Sequence, residues 1–164
     1  GGRAHPMARV KLHTFLVPKD KIAVTVDGVI IPVATGAPVV VPPAESWPVE
    51  SNGGVRVPLH RLAVARSGDK GNDVNIGVIA RHPDHAPLLR AALSPSKVAE
   101  FFDREFGGAG RVEAWDWPGL HGMNFLLKDC LGGGGSYGLR VDPQGKAYAQ
   151  RLLQMEIDVP KGTL

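Results

Sequence analysis

One stretch concentrates side chains that do chemistry: Arg66-Ser67-Gly68-Asp69-Lys70-Gly71-Asn72. Gly68 and Gly71 allow positive φ, so successive backbone N–H groups can point into one concavity. With Arg66 and Lys70 beside it, that concavity suits an anion. Ser67 adds a hydroxyl, and Asn72, with Asn75 and Asn124 further along, adds amides that orient a bound group. Asp69, flanked by Lys70, is the best-placed carboxylate for proton transfer. The competing reading is a hairpin loop whose charges are solvated.

A second stretch, Gly132-Gly133-Gly134-Gly135-Ser136, lets a backbone approach a ligand closely. It lacks the Gly-Lys-Ser/Thr ending of a phosphate loop, and there is no Gly-x-Gly-x-x-Gly, so no known nucleotide motif is present. Gly133 and Gly134 join the candidate binding residues. If both stretches build one site, residues 66–72 and 132–136 must meet at one end of a sheet.

Other constellations are weaker. No Gly-x-Ser-x-Gly elbow surrounds a serine. Cys130, the only cysteine, reads as a core thiol, and one cysteine cannot build a disulfide framework or a cysteine zinc cage. His82 and His85, with Asp84 between them, have a metal-ligand spacing, but the adjacent Pro83 favours a solvated helix cap. No metal and no redox cofactor is expected. Glu113 and Asp116 fall on opposite faces of a strand, while Trp115 and Trp117 share a face, which suits packing.

Apolar runs must hold the first stretch in place. Leu62–Ala65 before it and Ile76–Ala80 after it read as buried strands. The order expected from there is a strand over about 59–66, a loop, and a strand over 73–81. Helices follow over 84–93 and 97–106, then a strand over 111–117 and a helix over 121–131. A strand over 137–141, a helix over 146–153 and a strand over 155–159 complete it. Such a chain packs as an α+β ferredoxin-like sheet with its helices mainly on one face. Ahead of this domain (55–160) lie a Pro-rich linker (34–54) and an N-terminal arm (1–33). In the arm, Asp27-Gly28 between β-branched runs predicts a hairpin.

Of 164 residues, 43% are hydrophobic and 21% charged, an ordinary globular composition. The formal net charge of +3 is small and its Lys and Arg residues are scattered, so no nucleic-acid surface is expected. No apolar run approaches the ~20 residues of a membrane span. These features and the lone cysteine point to a cytoplasmic protein.

The residues 66–72, with Asn75-Ile76-Gly77-Val78, Asn124-Phe125 and Leu131-Gly132-Gly133-Gly134, resemble the C-terminal ferredoxin-like domain of the acyclic terpene utilisation AtuA family, over about residues 58–159. The start, Gly1-Gly2-Arg3 with Leu16-Val17-Pro18-Lys19-Asp20, resembles the tail of that family's larger N-terminal domain and reads as a fragment or processed product. The resemblance implies bacterial breakdown of acyclic terpenes and branched acids through acyl-CoA intermediates. It carries over no catalytic residues. The expectation is therefore a hydratase- or lyase-like step on a CoA thioester substrate. In it, Arg66, Lys70 and the loop amides would hold the anionic group, and Asp69 and Lys70 would serve as the catalytic pair. The alternative is a non-catalytic assembly module that docks an N-terminal AtuA-type domain or companion subunit. Either way a homo- or hetero-oligomer is expected.

Overall fold

The computed structural model describes residues 15–32, 36–37, 54–107, 110–117 and 119–164. The described part of the linker expected at 34–54 is too short to test it, and the first half of the arm lies outside the described residues.

Two units are described separately. The smaller, 13–43, contains strands β1 (Val24–Val26) and β2 (Val29–Ile31), paired antiparallel. Asp27 and Gly28 turn the hairpin with φ of 49° and 80°, the left-handed values a primed two-residue turn requires. Every residue of both strands is exposed. Val24 opposes Ile31 and Val26 opposes Val29, so four β-branched side chains share one side of the ribbon.

The larger unit is built on a four-stranded antiparallel sheet. Its strands are β4 (Ala63–Lys70), β5 (Asp73–Ala80), β6 (Val112–Trp117) and β7 (Gly122–Leu127), in the order β4-β5-β7-β6. A separate pair, β3 (Val55–Pro58) with β8 (Glu156–Val159), ties the two ends of the domain together. Between β5 and β6 run α1 (Ala86–Ala92), α2 (Pro95–Phe101) and α3 (Asp103–Phe106). After β7 come α4 (Gly134–Tyr137) and α5 (Tyr148–Leu152). Ser94 caps α2 by accepting from the Lys97 N–H, with Pro95 at the first helical position.

One face of the sheet makes the core. Val74, Ile76 and Val78 of β5 and Met123, Phe125 and Leu127 of β7 pack under Leu89, Val98, Phe102, Tyr148 and Leu152 of the helical layer. The sandwiched area supplies the stability: each such side chain, fully buried, contributes about 1.5–3 kcal/mol. The opposite face carries polar residues and glycines together with Val64, Ile79, Trp115 and Trp117, and among the described residues no helix covers it, which an antiparallel sheet tolerates. The α+β ferredoxin-like class expected from the sequence is what the chain adopts.

Three local expectations are corrected. The predicted helix over 121–131 is strand β7, in which Met123, Phe125 and Leu127 point inward and Leu126 outward. Pairing with β5 on one side and β6 on the other outweighs the local helical spacing. The predicted strand over 137–141 does not form; Leu139 and Val141 are fully exposed beyond the one-turn α4. The predicted loop over 66–72 is mostly strand, because β4 continues in register to Lys70 opposite Asp73 and leaves only Gly71 and Asn72 to turn.

Candidate functional site

Because residues 66–70 are strand, their side chains alternate. Ala63, Ala65, Ser67 and Asp69 face the helical layer; Val64, Arg66, Gly68 and Lys70 face the open side. The single concavity expected of residues 66–72 therefore does not form, and the expected catalytic neighbours Asp69 and Lys70 point to opposite faces. Gly68 does not use positive φ, whereas Gly71 does, at 68°.

The sequence-predicted residues sort into three places. On the helix side, Ser67 is 8% exposed. Its hydroxyl donates to the Gly145 carbonyl (2.6 Å) and accepts from the Ala149 N–H (2.9 Å). Ala149 lies in the first turn of α5, whose own N-cap, Ala147, offers no side-chain acceptor. Ser67 thus satisfies from a distant strand an N–H that the helix cannot satisfy itself. Asp69 reaches Lys146, with Oδ1 to Nζ at 3.5 Å.

At the end of the sheet, Gly71, Asn72, Gly133 and Gly134 form a joint. The Asn72 side chain accepts from the Gly133 N–H (2.6 Å) and donates to Asp129 (3.1 Å), and its carbonyl accepts from the Leu131 N–H (3.0 Å). A Cβ on Gly134 would lie 2.2 Å from the Gly71 carbonyl oxygen, so only glycine fits there. Residues 66–72 and 132–136 do meet, but in backbone packing that spends the Gly133 N–H on Asn72. Beside the joint, Asp73 binds both Lys128 Nζ and the Asp129 N–H. The Asp73 carboxylate raises the Lys128 pKa above its ordinary value, chiefly through that hydrogen bond.

The remaining predicted residues, Arg66, Gly68, Lys70, Asn75 and Asn124, share the open face. Asn75 and Asn124 exchange amide hydrogen bonds of 2.9 and 2.8 Å across β5 and β7. Along this face and the free edge of β4 runs a groove of about 460 Å³. Three further residues shape it. The Trp117 indole lies across Gly77 and Gly122, where added Cβ atoms would come within 2.7 Å and 3.3 Å of its ring. Lys146 Nζ stands over Gly68, where a Cβ would come within 3.0 Å of it. Val64 and Ile79, beside Trp117, give one end of the groove an apolar wall. Strand parity could have put Gly77 and Trp117 on the same face as Arg66 and Asn75. Nothing local points to Lys146, 77 residues from its partner Asp69.

Chemically, the groove offers positive charge, hydrogen-bonding groups and apolar surface. Among the described residues its lining side chains are three cations, an amide, the Ser67 hydroxyl, an indole and aliphatic groups, with no carboxylate, imidazole or thiol among them. Cys130 is remote from it and fully buried, and burial pushes its thiol up to about 11. Tyr148, whose hydroxyl donates to the Cys130 carbonyl, is likewise raised, first by burial.

An antiparallel sheet with helices on one face and a cation-lined groove on the other defines a small ferredoxin-like domain with a ligand-sized site. The family model of the AtuA ferredoxin-like domain matches residues 57–158. The chain belongs to that family. No curated protein and no solved structure matches it.

Proposed function

We propose that this chain is the C-terminal domain of a bacterial catabolic protein of acyclic terpene and branched acyl-CoA utilisation, and that the open-face groove holds the anionic part of the substrate. The observation that carries this reading is the pairing of a cationic rim (Arg66, Lys70, Lys146) with an apolar wall (Trp117, Val64, Ile79) in one groove. An amphipathic acid or thioester needs both. The groove's lack of a proton-transferring carboxylate makes Arg66 and Lys70 binding residues. Asp69 acts there only through Lys146, and the acid and base of a hydratase- or lyase-like step come from elsewhere in the complete protein.

The test substitutes Arg66, Lys70 and Asp69 singly by Ala in the complete protein. Turnover of a terpenoid acyl-CoA and the assembly state are both measured. Binding roles for Arg66 and Lys70 raise KM about tenfold with kcat and assembly intact. Unchanged turnover in both variants refutes the site. Lost kcat at unchanged KM for Asp69→Ala would restore it as the proton carrier.

A second reading, a non-catalytic assembly module docking an N-terminal AtuA-type domain or partner subunit, has its own observation. The β1–β2 ribbon presents Val24, Val26, Val29 and Ile31 to solvent, and a two-stranded hairpin alone is marginally stable in water. Broken assembly with normal turnover after charging this face (Val26→Lys) would favour it.

A further inference from the structure

The spacing of the groove's cations narrows the ligand. Arg66 and Lys70 stand four residues apart on one face of β4, roughly 13 Å at the strand rise. Lys146 Nζ comes between them, above Gly68. One carboxylate is too small to engage three cations so spread; a ligand with several separate phosphate charges is not. The other carboxylates of this face are already matched, Asp73 with Lys128 and Glu113 with Arg111. Among the described residues, neither Arg66 nor Lys70 makes an ion pair with a carboxylate. Among the described residues the Lys70 ammonium donates only to the Asp69 carbonyl (3.0 Å), and Lys146 is shared with Asp69 across the strand.

The far side of the groove is flat. Glycine at 77 and 122 lets the Trp117 indole lie along the sheet and present a broad aromatic surface beside the cation row. Trp115, on the same side of β6, is 48% exposed. Such surfaces stack planar rings. The Asn75–Asn124 pair adjoins Gly77, with Asn75 opposite Gly68 and Asn124 opposite Gly77. After its reciprocal bonds each amide still has an N–H and a lone pair for the edge of a base.

We infer that the groove binds a purine nucleoside carrying two or more phosphates. Its phosphates lie along Arg66, Lys146 and Lys70, and its ring lies against Trp117 within reach of the asparagine pair. This rests on the acyl-CoA reading for the source of the ligand, because the nucleotide end of coenzyme A has this chemistry. The domain then grips a handle common to every CoA thioester and leaves the acyl end free for groups outside the groove. A volume of about 460 Å³ lies within the usual range of small-ligand sites, about 300–1,000 Å³.

Isothermal titration of the chain with defined probes decides it. The probes are adenosine 3′,5′-bisphosphate, coenzyme A, ATP, a branched carboxylic acid without a nucleotide, and a single-stranded oligonucleotide. Saturable one-to-one binding of the bisphosphate and coenzyme A is expected, weakening as salt is raised. Lys70→Glu, a surface change, should weaken both about tenfold or more, and Trp117→Ala should weaken them about tenfold. Tighter binding of ATP than of coenzyme A would support the nucleotide chemistry and assign the source to a free nucleotide. No bisphosphate binding at millimolar concentration overturns the inference. So does binding of the branched acid alone, full affinity in Lys70→Glu, or an oligonucleotide that binds more tightly than the mononucleotide. Bisphosphate binding in a complete protein that turns over no acyl-CoA defeats the catabolic reading and leaves this one standing. Turnover without bisphosphate binding does the reverse.

Discussion

Replacing Ser67 by Ala separates a structural from a ligand role at a residue whose neighbours suggest binding. In the folded chain its hydroxyl sits at 8% exposure between the Gly145 carbonyl and the Ala149 N–H, at 2.6 and 2.9 Å. Alanine removes both bonds and leaves two buried backbone groups without partners. Each such group costs about 1–3 kcal/mol, and the lost helix cap is of similar size. The two overlap at Ala149, so the expected loss is about 2–4 kcal/mol, a large share of a typical 5–15 kcal/mol. Urea unfolding followed by far-UV circular dichroism should show a lower midpoint with an unchanged slope, and the melting temperature should fall by about 10 °C. Asp142→Ala provides scale. That carboxylate caps the Lys146 and Ala147 N–H groups at an exposed site, so its loss should cost only about 1 kcal/mol. A Ser67→Ala loss below about 0.5 kcal/mol would refute the reasoning, because both backbone groups would then have found water. Reduced ligand affinity at unchanged stability would make Ser67 a ligand after all.

Gly134→Ala should cost more than about 3 kcal/mol, since it combines a left-handed φ of 69° with a Cβ 2.2 Å from the Gly71 carbonyl oxygen. Gly107→Ala, with φ 65° and open space around it, should cost only about 1 kcal/mol; equal losses in thermal melts would contradict the joint. Gly77→Val should drive the Trp117 indole off the sheet, because even a Cβ there would lie 2.7 Å from the ring. Its emission should shift to the red and groove affinity should fall, while unchanged emission would count against the flat indole. The Cys130 thiol, at about 11 in the fold against 9.0 ordinarily, stays protonated while the unfolded thiol ionises. Its stabilising contribution is therefore full below pH 9 and declines by about 2 kcal/mol as pH rises to 11. Urea midpoints at pH 8 and 10.5 should converge for the wild type and Cys130→Ala, and parallel pH profiles would exclude this linkage. Lys128, raised by Asp73, also stabilises at lower pH, but its contribution fades only above about 10.5.

Much of the fold is legible locally. Strand β5 shows in its run of apolar residues and the β1–β2 turn in Asp27-Gly28, because alternation and positive φ are properties of neighbouring residues. The family follows from the run at 66–72 and its companions for the same reason. Strand β7 is misread because Met123, Leu126 and Leu127 fit a helix nearly as well as a strand, and only the flanking strands select between them. The candidate site divides in the same way. Residue types marked Arg66, Lys70, Asn75 and Asn124, and the reach of β4 to Lys70 then set them on one face. That same extension turned Ser67 and Asp69 to the helices and left the glycines at 133 and 134 to pack against Gly71.

The sequence by itself determined the class of domain, its family and a short list of polar residues, since these depend on composition and near-neighbour pattern. Only the tertiary structure decided which of those residues share a surface, that Lys146 joins them from far along the chain, and that glycines at 77 and 122 make room for Trp117. Such choices depend on which distant segments pack together, and no local pattern encodes them.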